Sequence, residues 1–378
     1  MYKYLLHYRD FFWRNKKKAV LLRSKMEVLF GKTLSELTEI ALQSGLPKFA
    51  GKQLAKWIYV RRATSFDEMT DISLKGREAL KSAYSIGRHA PVAKAESVDG
   101  THKYLFEVTL PDSKNGTQKQ FIESVYIPED DRATLCVSTQ AGCKMGCRFC
   151  MTGTLGFHGQ LPAAEILNQI FSIPEAAELT NIVYMGEGEP MDNIDHVLRS
   201  LEVMTADYGC AWSPKRITVS SVGIIPGLKR FLDESECHLA ISLHNPFAAE
   251  RQAIMPIEKA YPIREVLALL KTYDFTHQRR VSFEYICFGG QNDTPRHAKE
   301  LIRLLRGLEC RINLIRFHEG VENKSSDPRI NQIIKPSNPQ AMIWLRDYLS
   351  ENGIPTTIRR SRGEDILAAC GMLVNSLI

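Results

Sequence analysis

The pattern of apolar and polar positions divides the chain into two kinds of sequence. From about residue 131 onward, short apolar runs of strand length alternate with longer stretches of helical periodicity. The runs that predict strands are LCVSTQ (135–140), TNIVYMG (180–186), RITVSSV (216–222), HLAISLH (238–244), RVSFEYICF (280–288) and RINLIRFH (311–318). The stretches that predict helices include PAAEILNQIF, IDHVLRSLEVM, IREVLALLKTY and PRHAKELIRLLRGL. Six such units in series predict an α/β fold with a parallel sheet, and a parallel barrel places its chemistry at the C-terminal ends of its strands.

The sequence before that point predicts a small helical domain followed by a β-hairpin. Three stretches have apolar residues at helical spacing: TLSELTEIALQ, FAGKQLAKWIYVR and SLKGREALKSAY. HKYLFEVTL and QKQFIESVYIP then flank the polar turn PDSKNGT, which is typical of a hairpin. We therefore expect a basic N-terminal arm (1–25), a basic helical accessory domain (26–95), a β-hairpin extension (96–130) and the α/β body (131–378). Met26 is an alternative start, because a more regular pattern begins there.

Positive charge is concentrated near the N-terminus. Residues 1–90 contain 18 Lys and Arg against 8 Asp and Glu, while the whole chain has a net charge of +6. A basic module therefore precedes a mildly acidic body. Within this module, Lys52, Lys56, Arg61 and Arg62 cluster around the second predicted helix. Such a module favours a phosphate-bearing partner such as RNA, although a solvated surface would carry the same charge.

Composition narrows the class of protein and the meaning of its cysteines. The chain has 378 residues, of which 44% are hydrophobic and 24% charged, as in ordinary globular proteins. No apolar run approaches the length of a membrane span, and charges interrupt the N-terminus too early for a signal peptide. We therefore expect a cytoplasmic protein with no membrane association. Thiols stay reduced in that compartment, so closely spaced cysteines indicate a metal site or catalysis rather than disulfides.

Cys143, Cys147 and Cys150 fall in the loop after the first predicted strand. Structural zinc requires four ligands and two-cluster ferredoxins use a four-cysteine run, so both fit this CxxxCxxC spacing poorly. Three thiolates can instead bind three irons of a [4Fe–4S] cluster and leave the fourth iron open to chelate S-adenosylmethionine (SAM). The stretch resembles the radical SAM superfamily. This resemblance implies a partial (β/α)6 barrel in which reductive cleavage of SAM yields a 5′-deoxyadenosyl radical.

Polar residues at the ends of other predicted strands are candidates for binding SAM. They are Gly188 and Glu189 in the turn GEGEP, Ser220 in the next strand, and Ser242, Leu243 and His244 in the strand after it. The Gly-rich turn exposes backbone groups, and the serine hydroxyls are suited to a carboxylate or a ribose. His244 alone would be an ordinary turn histidine, but its position at the C-terminal end of a strand favours a binding role.

Several segments resemble a narrower group, the RlmN/Cfr family of RNA adenine methyltransferases. In order along the chain they are TLCVSTQAGCKMGCRFCMTG, VYMGEGEPMDN, RITVSSVG, LAISLHNP and RGEDILAACG. The resemblance covers roughly residues 45–375 and includes KQLAKWIY and FDEMTDIS in the accessory domain. It implies that the helical domain contacts RNA and that the α/β body is the radical SAM barrel.

The same resemblance implies roles for three residues outside the cysteine loop. C2 of adenine is not a nucleophile, so a methyl group first passes from one SAM molecule to Cys370 in DILAACGML. A second SAM molecule supplies the radical that activates this methyl group for addition to adenine, which leaves a protein–RNA crosslink. Cys136 resolves the crosslink by forming a transient disulfide, and Glu123 in FIESVYIP removes the ring proton. Without the resemblance, both cysteines would be taken as structural and Glu123 as an exposed strand residue.

Substrates and partners follow from the resemblance as well. Family members methylate an adenosine near the peptidyl-transferase centre of 23S rRNA, and some also methylate the adenosine 3′ of the anticodon in certain tRNAs. We expect C2 methylation of both RNAs, with two SAM molecules consumed per turnover. The expected enzyme is a monomer that receives electrons from a small protein such as flavodoxin or ferredoxin.

Three alternatives stay open on the sequence alone. They are C8 methylation, as in the antibiotic-resistance branch of the family, a radical SAM enzyme acting on a protein or small molecule, and a non-enzymatic RNA-binding protein with a structural metal. Two positions also depart from the family pattern. His318 stands where an Asn that contacts SAM is expected, and it retains hydrogen-bonding capacity. Glu187 stands where the family often has Met, which we expect to affect packing more than chemistry.

Overall fold

The computed structural model of the protein describes residues 26–112, 116–277, 279–318 and 334–373. The predicted N-terminal arm (1–25) lies outside the described residues. Within them the chain divides into two compact units. The first unit runs to Arg88 and takes in Asp207–Cys210, and the second contains the other residues from His89 onward. No helix in these ranges is both long and apolar enough to cross a membrane.

The first unit is helical, as its periodicity predicts. Its elements are the short parallel strands β1 (Glu27–Val28) and β2 (Tyr84–Ser85) and the helices α1 (Leu34–Gln43), α2 (Ala50–Ala55) and α3 (Leu74–Ala83). Helix α1 begins with a capping box, in which Thr33 and Glu36 each accept a hydrogen bond from the other's backbone N–H. Helix α2 continues as a π-helical turn (Lys56–Val60) that buries Trp57, whose indole N–H donates to Asp71 Oδ1 at 2.5 Å.

A ten-stranded mixed sheet forms the centre of the second unit. Its antiparallel strands are β3 (Ala93–Glu96), β4 (His102–Asp112) and β5 (Gly116–Pro128), which pair in that order. Strand β6 (Ala133–Cys136) belongs to the same sheet, while β7 (Gln140–Gly142) and β8 (Phe157–Gln160) form a separate antiparallel pair. The other parallel strands are β9 (Asn181–Tyr184), β10 (Ile217–Ser221), β11 (His238–Ser242), β12 (Val281–Cys287), β13 (Cys310–Arg316) and β14 (Thr356–Ile358).

The parallel strands curve around a common interior. They are hydrogen-bonded in the order β14-β13-β12-β11-β10-β9-β6. Cys136 on β6 and Thr357 on β14 nevertheless line the same cavity, although they are at opposite ends of this series. The helices between the strands are α4 (Ala163–Phe171), α5 (Ile194–Thr205), α6 (Ile225–Glu234), α7 (Ala248–Ile254), α8 (Ile263–Leu270), α9 (Pro295–Leu305) and α10 (Pro339–Glu351). The predicted α/β fold with a partial parallel barrel is confirmed.

The strands differ from the prediction in two places. Strand β14 adds a seventh parallel strand to the six predicted, and its three residues are too few for an apolar pattern to be recognised. The first predicted strand, 135–140, ends in the sheet at Cys136. The backbone N–H groups of Thr139 and Gln140 both donate to the carbonyl of Glu187, so this segment leaves the ladder with β9. The cysteine loop therefore lies between β7 and β8.

The predicted hairpin is present as β4 and β5, which pair along their full length. Strand β5 also pairs antiparallel with β6 from Val125 to Pro128. The hairpin consequently continues the barrel sheet and places residues of β5 next to the first parallel strand.

Candidate active site

The turn after β9 requires glycine at two positions. Gly188 has a φ of +94°, and a Cβ atom there would lie 2.4 Å from the Cβ atom of Gln140. A Cβ atom at Gly186 would lie 2.8 Å from the backbone nitrogen of Ser138. The turn GEGEP thus packs directly against the segment that follows β6. Because of this close packing, the two glutamates of the turn are directed into the protein.

Glu189 orients the end of β10. Its carboxylate accepts hydrogen bonds from the Ser221 hydroxyl at 2.8 Å, from Val222 N at 2.9 Å and from Met191 N at 3.0 Å. Burial raises the pKa of Glu189 to about 7, against the opposing effect of these hydrogen bonds, which favour the ionised form. The side chain is therefore held in one orientation at the end of the neighbouring strand.

A cavity of about 140 Å³, called the smaller cavity below, lies at the C-terminal ends of the parallel strands. Its walls include the three loop cysteines together with Gly188, Glu189, Ser220, Ser242 and His244. Three partly buried thiols facing one cavity fit a [4Fe–4S] cluster, because each thiolate binds a different iron and the fourth iron stays open. Among the described residues, no three His, Cys, Asp or Glu side chains converge on a single ion, and a cluster of this type does not require such convergence.

His244 presents a neutral imidazole to the smaller cavity. Its backbone is left-handed, with φ +56°, and its carbonyl accepts from the Asn292 amide at 2.7 Å. Its Nδ1 accepts from the backbone N–H of Ile286 at 3.0 Å, so Nε2 must carry the ring hydrogen. Burial, and to a smaller extent the charge of Arg251, lowers the pKa of His244 to about 3. The ring packs edge-on against Phe149 at a centroid distance of 4.7 Å, which links it to the cysteine loop.

Sequence analysis missed a buried arginine that joins two strand ends. Arg251 is fully buried and forms an ion pair with Glu258. Its guanidinium donates to the carbonyls of Ser242 at 2.9 Å, Leu243 at 3.0 Å and Val222 at 3.1 Å. Leu243 itself is fully buried and is not in the wall of the smaller cavity, so the structure does not bring this predicted residue to the site. No pattern distinguishes Arg251 from the exposed charges of a short helix such as α7.

Cys370 lies where the smaller cavity meets a larger one of about 530 Å³, called the larger cavity below. Cys136 is buried in the wall of the larger cavity, and burial, followed by the nearby Cys370, raises the pKa of its thiol to about 12. Arg359 lines both cavities and donates to Glu284 Oε2 at 3.4 Å. The adjacent Cys370 raises the pKa of the Arg359 guanidinium. The structure therefore brings the two predicted cysteines into one cavity, beside a cation that the sequence did not single out.

Backbone hydrogen bonds attach the Cys370 loop to the cysteine loop. The N–H of Met151 donates to the carbonyl of Gly371 at 2.8 Å, and the Thr152 hydroxyl donates to the carbonyl of Leu373 at 3.1 Å. Cys370 is thus held next to the segment that begins directly after Cys150.

Glu123 is fully buried, whereas its strand pattern alone indicated an exposed residue. Its carboxylate forms an ion pair at 2.9 Å with Lys103 Nζ, and both side chains have 0% exposure. Lys103 Nζ also donates at 3.4 Å to the carbonyl of Leu367, which belongs to the loop that carries Cys370. Glu123 is in the wall of neither cavity.

Glu187 is a second buried carboxyl group next to this ion pair. It accepts hydrogen bonds from Glu123 N at 2.8 Å and from Gly142 N at 3.2 Å. Burial raises the pKa of Glu187 to about 8, while the two hydrogen bonds act in the opposite direction. Glu187 therefore fixes the backbone of Glu123 and Gly142 in addition to packing, and its expected lack of a chemical role stays a prediction.

We expect Glu187→Gln to remove a pH dependence of stability. The folded pKa lies above the usual one, so the folded protein binds more protons between about pH 4.5 and 8 and stability falls as the pH rises. The Tm values of variant and parent are measured anaerobically at about pH 6 and pH 8. Between these two pH values, their difference should shift in the variant's favour by several degrees, which corresponds to about 2 kcal/mol in the free energy of unfolding. A constant offset from the altered hydrogen bonds does not affect this shift. A pH-independent difference would contradict the assignment.

His318 does not reach the smaller cavity. Strand β13 ends at Arg316, and His318 lies in the wall of the larger cavity. Its Nε2 is 2.6 Å from the Ser361 hydroxyl, and its Nδ1 is 3.3 Å from Glu364. Both ring nitrogens are engaged by the segment that precedes Cys370, and the contact with SAM stays a prediction.

In the first unit, three of the four predicted RNA-contacting residues are exposed: Lys52, Lys56 and Arg61. The Arg61 guanidinium lies 4.1 Å from the centre of the Trp57 ring. Arg62 differs, because it is half-buried in a left-handed conformation with φ +56°. The exposed basic surface of this unit is therefore carried mainly by α2 and its π-helical turn.

Comparison with known proteins gives matches over both units. The model of the radical SAM superfamily matches residues 137–305, and that of the ribosomal RNA large subunit methyltransferase N-terminal domain matches residues 28–86. A protein of Porphyromonas gingivalis named probable dual-specificity RNA methyltransferase RlmN is 57% identical, over 93% of this chain and 95% of its own. The chain belongs to the RlmN family of radical SAM proteins. This confirms the family predicted from the motifs, and radical SAM proteins bind a [4Fe–4S] cluster and SAM.

Proteins with lower sequence identity match over a similar extent. A Geobacter sulfurreducens protein named dual-specificity RNA methyltransferase RlmN is 40% identical over 92% of both chains. The crystal structure of a radical SAM methyltransferase from Sphaerobacter thermophilus is similar with a TM-score of 0.80 and 36% identity, over 92% of this chain and 98% of that one. Cys370 and Glu123 lie outside both matched model ranges, so their roles belong to the proposal that follows.

Proposed function

We propose that this protein is a radical SAM methyltransferase that methylates C2 of an adenosine in 23S rRNA and of the adenosine 3′ of the anticodon in certain tRNAs. The observation that carries the proposal is the position of Cys370 at the junction of two cavities. The smaller cavity has the thiols and strand ends suited to the cluster and SAM, and the larger one is spacious enough for a nucleobase. A thiol between them can receive a methyl group from one side and present it to a base on the other.

The chain supplies distinct groups for this chemistry. Cys143, Cys147 and Cys150 would hold the cluster, which when bound supplies the electron that cleaves SAM. Cys370 is the methyl carrier, and Arg359 provides a positive charge beside its sulfur. Cys136 lines the same cavity, which supports its assignment as the residue that forms the disulfide and so releases the methylated base.

Proton removal from the adenine ring is assigned to Glu123. The carboxylate pairs with Lys103, which also donates to the Cys370 loop, and it lines neither cavity, so the loop must move aside before the base reaches it. Once the loop has moved, Lys103 keeps the carboxylate in a fixed orientation. The low dielectric of a buried site strengthens its interaction with a nearby ring proton.

Binding of RNA begins with the exposed basic residues of the first unit, Lys52, Lys56 and Arg61. A target adenine inside folded RNA must leave its stack, which costs a few kcal/mol that phosphate contacts have to offset. The protein acts as a monomer in the cytoplasm and receives electrons from flavodoxin or ferredoxin.

The proposal is tested by the position of the new methyl group. Anaerobically purified, cluster-loaded protein is incubated with SAM, a reductant and either a 23S rRNA fragment or tRNA, and the digested nucleosides are separated against 2-methyladenosine and 8-methyladenosine. We expect 2-methyladenosine from both RNAs. Formation of 8-methyladenosine would assign the protein to the other regiochemistry, and SAM cleavage without any methylated nucleoside would overturn the RNA function.

A further inference from the structure

The larger cavity extends through the barrel interior from Cys370 to the N-terminal edge of the parallel strands. Cys136 and Arg359 lie at its end near the smaller cavity, while Thr134 and Asn181, at the starts of β6 and β9, line its other end. The cavity therefore has a mouth on the side of the barrel opposite the cysteine loop.

Three basic residues surround this mouth, and we call them the cationic rim: Lys215, Arg280 and Arg311. Lys215 lies two residues before β10, Arg280 directly precedes β12, and Arg311 is the second residue of β13. The N-terminal ends of neighbouring strands therefore place positive charges around one opening.

The cationic rim has no acidic partners in the part of the chain that the structure describes: no carboxylate lies within 4.0 Å of any of its three side chains. Other cations of the same cavity are paired, for example Arg132 with Glu129 and Arg359 with Glu284. On an ordinary solvated surface, basic and acidic side chains are interspersed. Unpaired like charges around one opening instead repel one another and favour binding of an anion.

A histidine close to the cationic rim is affected by the positive charge of the rim. His238 begins β11, which lies between β10 and β12, and its Nδ1 accepts from the backbone N–H of Arg280 at 3.0 Å. Burial lowers the pKa of His238 to about 4, and the charges of Arg280, Lys215 and Arg311 add to this effect. The positive potential at the mouth is therefore not neutralised by surrounding groups.

We propose that the cationic rim binds the phosphodiester backbone of the RNA strand next to the target nucleotide, so that its base enters the larger cavity and reaches Cys370. This inference rests on the proposed function and adds a second RNA-binding surface, on the barrel unit. Arginine and lysine at a cavity mouth suit phosphate oxygens, and a base leaving its stack needs such contacts on the phosphates that flank it.

The test compares two triple variants of the cluster-loaded protein that lose the same charge. One is Lys215→Gln/Arg280→Gln/Arg311→Gln. The control is Lys271→Gln/Lys299→Gln/Arg306→Gln, whose three residues are exposed outside the cavity. Iron content and Tm show whether either variant is misfolded. The rim variant should bind an RNA stem-loop at least about tenfold more weakly than the control. The slope of the logarithm of the binding constant against the logarithm of the salt concentration should become shallower by about 0.7 for each lost phosphate contact.

A second experiment tests whether the rim binds RNA phosphates, by using an RNA whose backbone is uncharged next to the target adenosine. Methylphosphonates replace the phosphates on both sides of the target adenosine, and the KM for RNA is measured with parent and rim variant. The substitution should raise the KM of the parent but have little further effect on the rim variant, because the contact is already lost. Equal effects on both proteins, or a rim variant that behaves like the control, would overturn the inference. Both outcomes presuppose a parent that methylates RNA, so they are distinct from failure of the proposed function.

Discussion

Replacing Cys370 by alanine should lower RNA methylation by at least about a thousandfold, because no other group can carry the methyl. The described structure places Cys136 as the other thiol in the larger cavity, and this one is buried in β6 with a pKa raised to about 12. Cys370 is exposed and lines both cavities. Iron content and reductive cleavage of SAM should be retained, since the cluster thiols are untouched. The measurement is methylated nucleoside per enzyme over time, alongside 5′-deoxyadenosine.

Cys310→Ala is the matched control for this experiment. Cys310 begins β13, is partly buried and lines neither cavity, so its loss should leave methylation near the parent rate. A peptide mass map adds a second readout, because the parent isolated from cells should carry an added methyl or methylene on Cys370. Methylation by Cys370→Ala at the parent rate would exclude the carrier role, even if RNA methylation itself is established.

The cysteine loop could be identified from sequence because its chemistry is local. Three thiols within eight residues define a ligand set without any knowledge of the fold, and the glycines of GEGEP indicate a close approach in the same way. Cys136 and Cys370 are different, because an isolated cysteine in an apolar strand or a small-residue segment carries no signal of its partner. Only the resemblance to a family linked them, and the fold then placed them in one cavity.

The missed residues act through contacts that no short pattern contains. Arg251 joins β10 and β11 through their carbonyls, which depends on how the helix that carries it packs on the sheet. Its spacing is that of an exposed helical residue. For His318, the resemblance implied a contact with SAM; its ring lies against Ser361 in the wall of the larger cavity, and the contact stays a prediction. Strand ends are predictable from apolar pattern, whereas the path of the loops beyond them is not.

The burial of Glu123 could have been predicted from the register of the hairpin and its pairing with the barrel sheet. Lys103 lies opposite Val125 and Leu105 lies opposite Glu123, so Lys103 and Glu123 are diagonal neighbours on one face of the sheet. That face turns inward because β5 continues into the barrel sheet through β6. The polar alternation of β5 in isolation suggested solvent exposure. The pairing of the hairpin with the barrel is the information that sequence reasoning lacked.

Lys103→Met should produce the largest loss of stability among single replacements in the hairpin. It leaves the Glu123 carboxylate buried without its cation, and breaking a buried ion pair in this way costs about 3–5 kcal/mol. The replacement also removes the hydrogen bond to Leu367 O, so the Cys370 loop loses one of its attachments. We expect the Tm of the anaerobic, cluster-loaded protein to fall by roughly 10 °C, together with RNA methylation.

Two further variants test whether the loss of stability comes from the burial of the ion pair or only from the loss of a positive charge. Lys119→Met removes a cation from the same hairpin, where Lys119 pairs with Glu107 at 2.7 Å but is 69% exposed, and its Tm should change by no more than about 2 °C. Lys103→Met/Glu123→Met replaces the whole pair by apolar side chains and should regain most of the lost stability. If Glu123 is the base, the double variant should remain inactive despite its recovered Tm, because stability returns without the carboxylate. Recovery of methylation in the double variant would show that the pair only supports the fold, and a Lys103→Met variant as stable as the parent would contradict the buried ion pair itself.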